Sequence, residues 1–199
     1  MAFNDNLYEI VRGAVPEVLT KHCNAEFELL RKTMYLRKNI SEHNKFAFGD
    51  SQVPQSFAYY SALVFETLSE TLRPTVESVV GKPLYSTYSY ARIYYTGATM
   101  APHTDRPSCE YSTTICMSND PEPWEIWFET KEKQEIAIYL EPGDMLVYKG
   151  DVLNHWRNEY MGNRQCQAFL HYVDKFGKYR DFKNDGRIHT GIPKNGIFE

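Results

Sequence analysis

Downstream of Pro83 the chain changes texture, and that change constrains its fold more than any other feature. Segments 85–95, 111–117, 124–128, 135–140, 144–148 and 164–173 are short and rich in Tyr, Ile, Val, Thr and Trp. Turn signals part them: Gly97, Asn119-Asp120-Pro121, Glu141-Pro142-Gly143-Asp144 and Gly162-Asn163. Aromatic and β-branched side chains suit a pleated surface, and Gly, Pro, Asn and Asp end it. Many short strands at near-regular spacing predict an antiparallel double sheet of the jelly-roll kind.

The part before Pro83 reads as helical support for that sheet. Pro16 suits a first helical turn, and Leu19, Cys23, Phe27, Leu30 and Met34 recur at three- and four-residue steps, predicting an amphipathic helix over 16–37. Polar residues with Gly49 and Pro54 make 38–56 a loop. A second helix is expected from Ser56, with Phe57, Tyr60, Val64, Leu68 and Leu72 on one face. Pro74 breaks it or opens a further turn, and Gly81 ends it. The expected class is α+β, mainly β, in a single domain: 1–83 helical support, 84–174 a jelly-roll core, 175–199 a surface tail or cap.

Composition narrows the partners. Lys and Arg number 22 against 26 Asp and Glu, a net charge of −4, so no global positive field would hold nucleic acid or an anionic membrane. No basic segment followed by an apolar run opens the chain, and no stretch reaches membrane-span length, so a soluble, intracellular, cytoplasmic protein is expected. Cys23, Cys109, Cys116 and Cys166 show no CxxC spacing and read as free buried thiols. No GxGxxG, P-loop or nucleophile elbow is present.

Candidate chemistry gathers at Tyr94–Asp105. His103 and Asp105 stand two residues apart, so in an extended strand an imidazole and a carboxylate project together. His155 follows a turn, a strand and a second turn that would return the chain to the same end of the sheet. Two histidines and one carboxylate are the donor set of a non-haem Fe(II) face with open positions, a site for oxygenase chemistry. Arg164, nine residues beyond His155, begins the last strand, and its guanidinium is a fork suited to a carboxylate. Arg106 is expected to pair with Glu110 and otherwise to address an acidic group on a substrate. His22, His43, His171 and His189 have no partner at ligand spacing, and alternation points Trp156 away from the metal.

Taken together, Tyr94-x-x-Gly97, His103-x-Asp105, His155, Arg164 and the strand end His171-Tyr172-Val173-Asp174 resemble the Fe(II)/2-oxoglutarate-dependent dioxygenase superfamily, in its prolyl 4-hydroxylase-like branch. The resemblance covers about residues 84–174. It implies a double-stranded β-helix in which His103, Asp105 and His155 bind iron and Arg164 pairs with the far carboxylate of 2-oxoglutarate. Tyr94 stands where that branch often has a tyrosine touching the cosubstrate, and Thr113 or Thr114 offers a further hydroxyl. Cys166 departs from a frequent superfamily pattern, which has serine at that position. The implied activity is hydroxylation with Fe(II), 2-oxoglutarate and dioxygen, with ascorbate as a further candidate cofactor. The substrate expected first is a prolyl residue of a peptide or protein, and after it a free amino acid or other small metabolite. A nucleic-acid demethylase, a cupin-type metalloenzyme that uses no 2-oxoacid, and a binding module without turnover are the competing readings.

Overall fold

A computed structural model of the protein describes residues 2–36 and 46–192. His43, position 37 of the expected first helix, positions 38–45 of the expected loop and positions 193–199 of the expected tail lie outside the described residues. In chain order the elements are α1 (Ala2–Asn6), β1 (Tyr8–Val11), α2 (Glu17–Leu36), β2 (Phe46–Phe48), β3 (Ser56–Tyr60), α3 (Leu63–Val80) and β4 (Leu84–Tyr95). They continue with β5 (Met100–His103), β6 (Tyr111–Ser118), β7 (Ile126–Glu129), β8 (Glu135–Ile138), β9 (Met145–Tyr148), β10 (His155–Arg157) and β11 (Arg164–Asp174).

The strands form two antiparallel sheets, a double-stranded β-helix. The larger runs β1-β9-β6-β11-β4-β3-β2 and the smaller β5-β10-β7-β8. Helices α2 and α3 cover the outer face of the larger sheet. The apolar stripe of α2 puts Cys23 and Phe27 into the core, where Phe27 meets Phe57 and Phe65, each at 5.4 Å between ring centroids. Opposite them lie Ile93, Ile115, Val147, Ala168, Leu170 and Tyr172 of the sheet. Each such large apolar side chain contributes roughly 1.5–3 kcal/mol by leaving water.

Two expectations need correction. Residues 56–60 are the strand β3, paired with β4 from Ser56↔Tyr94 to Tyr60↔Tyr90, and the second helix begins only at Leu63. Phe57 and Tyr60 happen to share the helical phase of Val64 and Leu68. Ser61, at φ 55°, is the corner between the two conformations. At Pro74, of the break and the further turn expected, the helix takes the second: α3 runs on to Val80 and stops where Gly81 turns left-handed at φ 70°. The N-terminal third also adds β1 and β2 to the larger sheet, one at each edge.

Of the surface tail or cap expected after residue 174, the part as far as residue 192 packs onto the body as a cap. Arg187 is buried, bonding Glu66 at 3.0 Å and the Thr87 carbonyl at 2.8 Å, and Asp185 is buried beside it. All four cysteines are buried and free. Among the described residues no helix is long and apolar enough to cross a membrane.

Candidate metal centre and its anion pocket

The space between the two sheets opens at one end into a cavity of about 440 Å³. His103 ends β5 and His155 begins β10, and these antiparallel neighbours set the two residues directly opposite each other. Their rings lie 4.4 Å apart between centroids. Asp105, just past β5, is held by its N–H donating to the Gly150 carbonyl at 2.8 Å. Its Oδ1 stands 3.9 Å from His103 Nε2 and 3.8 Å from His155 Nε2. One donor atom from each of the three residues falls within 4.8 Å of the others, leaving room for a single ion that touches all three.

Backbone carbonyls select the tautomers. His103 Nδ1 is 2.8 Å from the Ala101 carbonyl and His155 Nδ1 is 3.0 Å from that of Leu153, so each Nδ1 carries the proton and donates it. Each Nε2 lone pair is thereby turned toward the shared point, the arrangement of a metal-ligating histidine. Burial holds the His155 imidazole below its ordinary pKa, against the pull of Asp105. It therefore stays neutral and able to ligate at physiological pH. A Gln52 amide nitrogen lies 3.4 Å from His103 Nε2 at the cavity mouth.

Arg164 does not enter this cavity. Its guanidinium pairs with Glu28 of α2 at 2.7 Å, on the helix-facing side of the larger sheet. Side chains of a strand alternate. Cys166, Ala168 and Leu170 point to the helices with Arg164, and it is Phe169 and His171 that line the cavity. Thr113, opposite Leu170, shares the helix-facing side; Thr114 faces inward and donates to Gln167 at 3.0 Å. Tyr94 lines the cavity, fully buried, and its hydroxyl has no partner among the described residues. Arg106 makes two bonds to Asp185, at 3.0 and 3.1 Å, while Glu110 pairs with Lys149. Trp156 stacks on Trp127, on the side of β10 opposite to His155.

A different guanidinium is buried behind the cavity wall, beyond the Tyr94 and Tyr148 that line it. Arg157 follows His155 by two residues on β10, so both project from the same face about 6.5–7 Å apart along the strand. It is buried and lies 4.6 Å over the Trp124 ring, with Tyr94, Cys116 and Tyr148 as neighbours. Among the described residues its one side-chain hydrogen bond is Nη1 to the Trp124 carbonyl at 2.9 Å, and Nε has no partner there. The other buried arginines each hold a carboxylate, Arg92 with Asp50 at 2.6 Å and Arg187 with Glu66 at 3.0 Å. Among the described residues Arg157 has none within ion-pair distance, and Glu125 acts on it only from farther away. Burial accordingly pushes its pKa down. The Tyr94 hydroxyl and Gln167 Nε2 are likewise donors without acceptors. A buried cation and unsatisfied donors together cost several kcal/mol unless an anion answers them. In the sequence Arg157 is marked only by its distance of two from His155, a signal the Arg164 assignment passed over.

Neither a protein-family model nor a curated protein matches the chain in sequence. Its fold does match. HygX from Streptomyces hygroscopicus, solved with nickel and 2-oxoglutarate bound, superposes with a TM-score of 0.67 at 13% identity, covering 88% of this chain and 85% of that one. The non-haem 2-oxoglutarate-dependent epimerase SnoN from nogalamycin biosynthesis gives 0.67 at 12% identity over 98% and 90%. A Pseudomonas putida prolyl-4-hydroxylase gives 0.63 at 10% identity over 86% and 95%. The double-stranded β-helix of this chain is thus the fold of 2-oxoglutarate and Fe(II) oxygenases.

Proposed function

We propose that the chain is an Fe(II)- and 2-oxoglutarate-dependent oxygenase that hydroxylates its substrate. The observation that carries this reading is the pairing of a two-histidine, one-carboxylate cluster with an unanswered buried guanidinium on the same strand face. His103, Asp105 and His155 would hold the iron on one face and leave the opposite positions open. Arg157, with the Tyr94 hydroxyl, would hold the far carboxylate of a five-carbon diacid whose other end reaches the metal, the role first expected of Arg164. The fit rests on chemistry: a hard N/O donor set for Fe(II), and orphaned donors for an anion.

Once bound, iron and 2-oxoglutarate supply the oxidising chemistry with dioxygen, leaving succinate and carbon dioxide. The chain's own share is orientation and exclusion of water. The two Nδ1–H donors fix the ring orientations and keep each Nε2 aimed at the shared point. Tyr148 and Phe128 pack against His155 at 5.0 and 5.6 Å between ring centroids and dry its inner side. At the mouth Tyr88, Tyr90, Arg92, Arg106 and Phe169 form an aromatic and charged wall facing the substrate.

The substrate is then a group small enough to share the cavity with the cosubstrate, a prolyl ring or a small metabolite. The solved neighbours include both kinds: a prolyl-4-hydroxylase, and HygX with hygromycin B bound. Succinate release, measured with Fe(II), 2-oxoglutarate and ascorbate against prolyl peptides, amino acids and glycosides, tests the reading. Release that needs both iron and 2-oxoglutarate supports it. Iron-dependent turnover without 2-oxoglutarate would make the protein a cupin-type enzyme instead.

A further inference from the structure

Asp105 has two carboxylate oxygens, and only Oδ1 faces the two imidazoles. Oδ2 accepts the Ser112 hydroxyl at 2.7 Å, and Ser112 Oγ lies 2.9 Å from His171 Nδ1. A hydroxyl has one proton to give. The single arrangement without two acceptors facing each other has His171 N–H donating to Ser112 Oγ and Ser112 O–H donating to the carboxylate. The Cys109 carbonyl also lies within reach of Oγ, but at 3.2 Å and uncharged it is the weaker acceptor.

The surroundings are shaped for this chain of bonds. A side chain at position 150 would run into Asp105 Oδ2, the Cys109 carbonyl and Ser112 Oγ, so Gly150 leaves the notch they occupy. His171 reaches the interior where the β4–β11 register shifts between Leu170 and Tyr172. Tyr88 packs on its ring at 4.5 Å. Asp105, Cys109 and His171 also come within ligating distance of one another. Ser112 Oγ bonds both Asp105 and His171, so these residues form a relay of hydrogen bonds.

We propose that Ser112 and His171 are positioning residues that commit Oδ2 of Asp105 and so present Oδ1 alone to the ion. This rests on the iron-site reading above. Without the Ser112 proton the carboxylate loses the bond that fixes its rotation, and Oδ1 is no longer held facing the two imidazoles.

The test uses metal-free protein titrated with Co(II), read by visible absorption, alongside the unfolding midpoint of each metal-free variant. Ser112→Ala and His171→Leu are expected to bind Co(II) about tenfold to hundredfold more weakly and with an altered spectrum. His171→Asn, which keeps an N–H donor near the Nδ1 position, is expected to restore both. Parent-like affinity and spectrum in Ser112→Ala and His171→Leu, with His103→Ala failing to bind, would overturn the positioning role and leave the metal site standing. Binding by His103→Ala as tight as in the parent would overturn both. Should Ser112→Ala not fold, the two His171 variants decide: equal loss in both would mean that His171 serves packing only.

Discussion

The two faces of β11 differ in kind although they belong to the same eleven residues. On the helix side, Cys166, Ala168, Leu170 and Tyr172 are buried among apolar partners, and the Tyr172 hydroxyl donates to the Ser69 carbonyl at 2.9 Å. Even the terminal charge on that side, Arg164, has its carboxylate. On the inner side, Gln165 Oε1 and Gln167 Nε2 lack partners, and His171 joins the chain of bonds that ends at Asp105. The helix side is satisfied but for Arg164 Nε, whereas the inner side leaves both glutamines incomplete among the described residues. Stability is built on the first, and unsatisfied groups on the second are affordable only where a ligand completes them.

The comparison is broken most severely at the ligands. His155→Ala should abolish metal binding and turnover while the helix-side core stays intact; a metal titration together with circular dichroism checks it, and retained succinate release would count against the site. Arg157→Leu comes next. It should weaken 2-oxoglutarate binding by roughly 3–5 kcal/mol, on the order of a hundredfold to several thousandfold. The same change should raise the unfolding midpoint of the ligand-free protein, because it removes a buried, unpaired cation. On the other face Leu170→Ala should cost roughly 2–5 kcal/mol of stability and leave metal affinity as it was, read by denaturant unfolding and Co(II) titration.

The pH dependence separates the faces more gently. Burial pushes the His171 imidazole down to about 4, from an ordinary value of 6.5. The unfolded chain therefore binds this proton first, and the stability held by neutral His171 is complete above pH 6.5 and lost as pH falls toward 4. Acid unfolding followed over that window should show the loss, and His171→Asn should flatten it. Arg164→Ala should have the smallest effect, about 0–1 kcal/mol for a part-exposed pair, with 2-oxoglutarate affinity unchanged.

Much of this was legible in residue order. The short strands after Pro83, the His103-x-Asp105 pair and the return of His155 to the same sheet end follow from alternation and turn signals. What residue order did not carry was parity. Whether Arg164 or Gln165 faces inward depends on how the turn at 158–163 enters β11, and a one-residue difference exchanges the faces of the whole strand. The same ambiguity sent Thr113 to the helices and Ser112 to the site. It also hid β3, because a five-residue aromatic strand leading into a helix can share the helix's phase. His171 stood in the sequence only as the start of the strand end His171-Tyr172-Val173-Asp174, and nothing local marked its bond to Ser112, which lies on β6.

The most direct measurement is anaerobic addition of Fe(II) and 2-oxoglutarate, followed by the weak visible charge-transfer band, across the parent, Arg157→Leu and Arg164→Ala. The account predicts the band in the parent and in Arg164→Ala at the same cosubstrate concentration, and its loss in Arg157→Leu. A band that survives in Arg157→Leu and disappears in Arg164→Ala would contradict it.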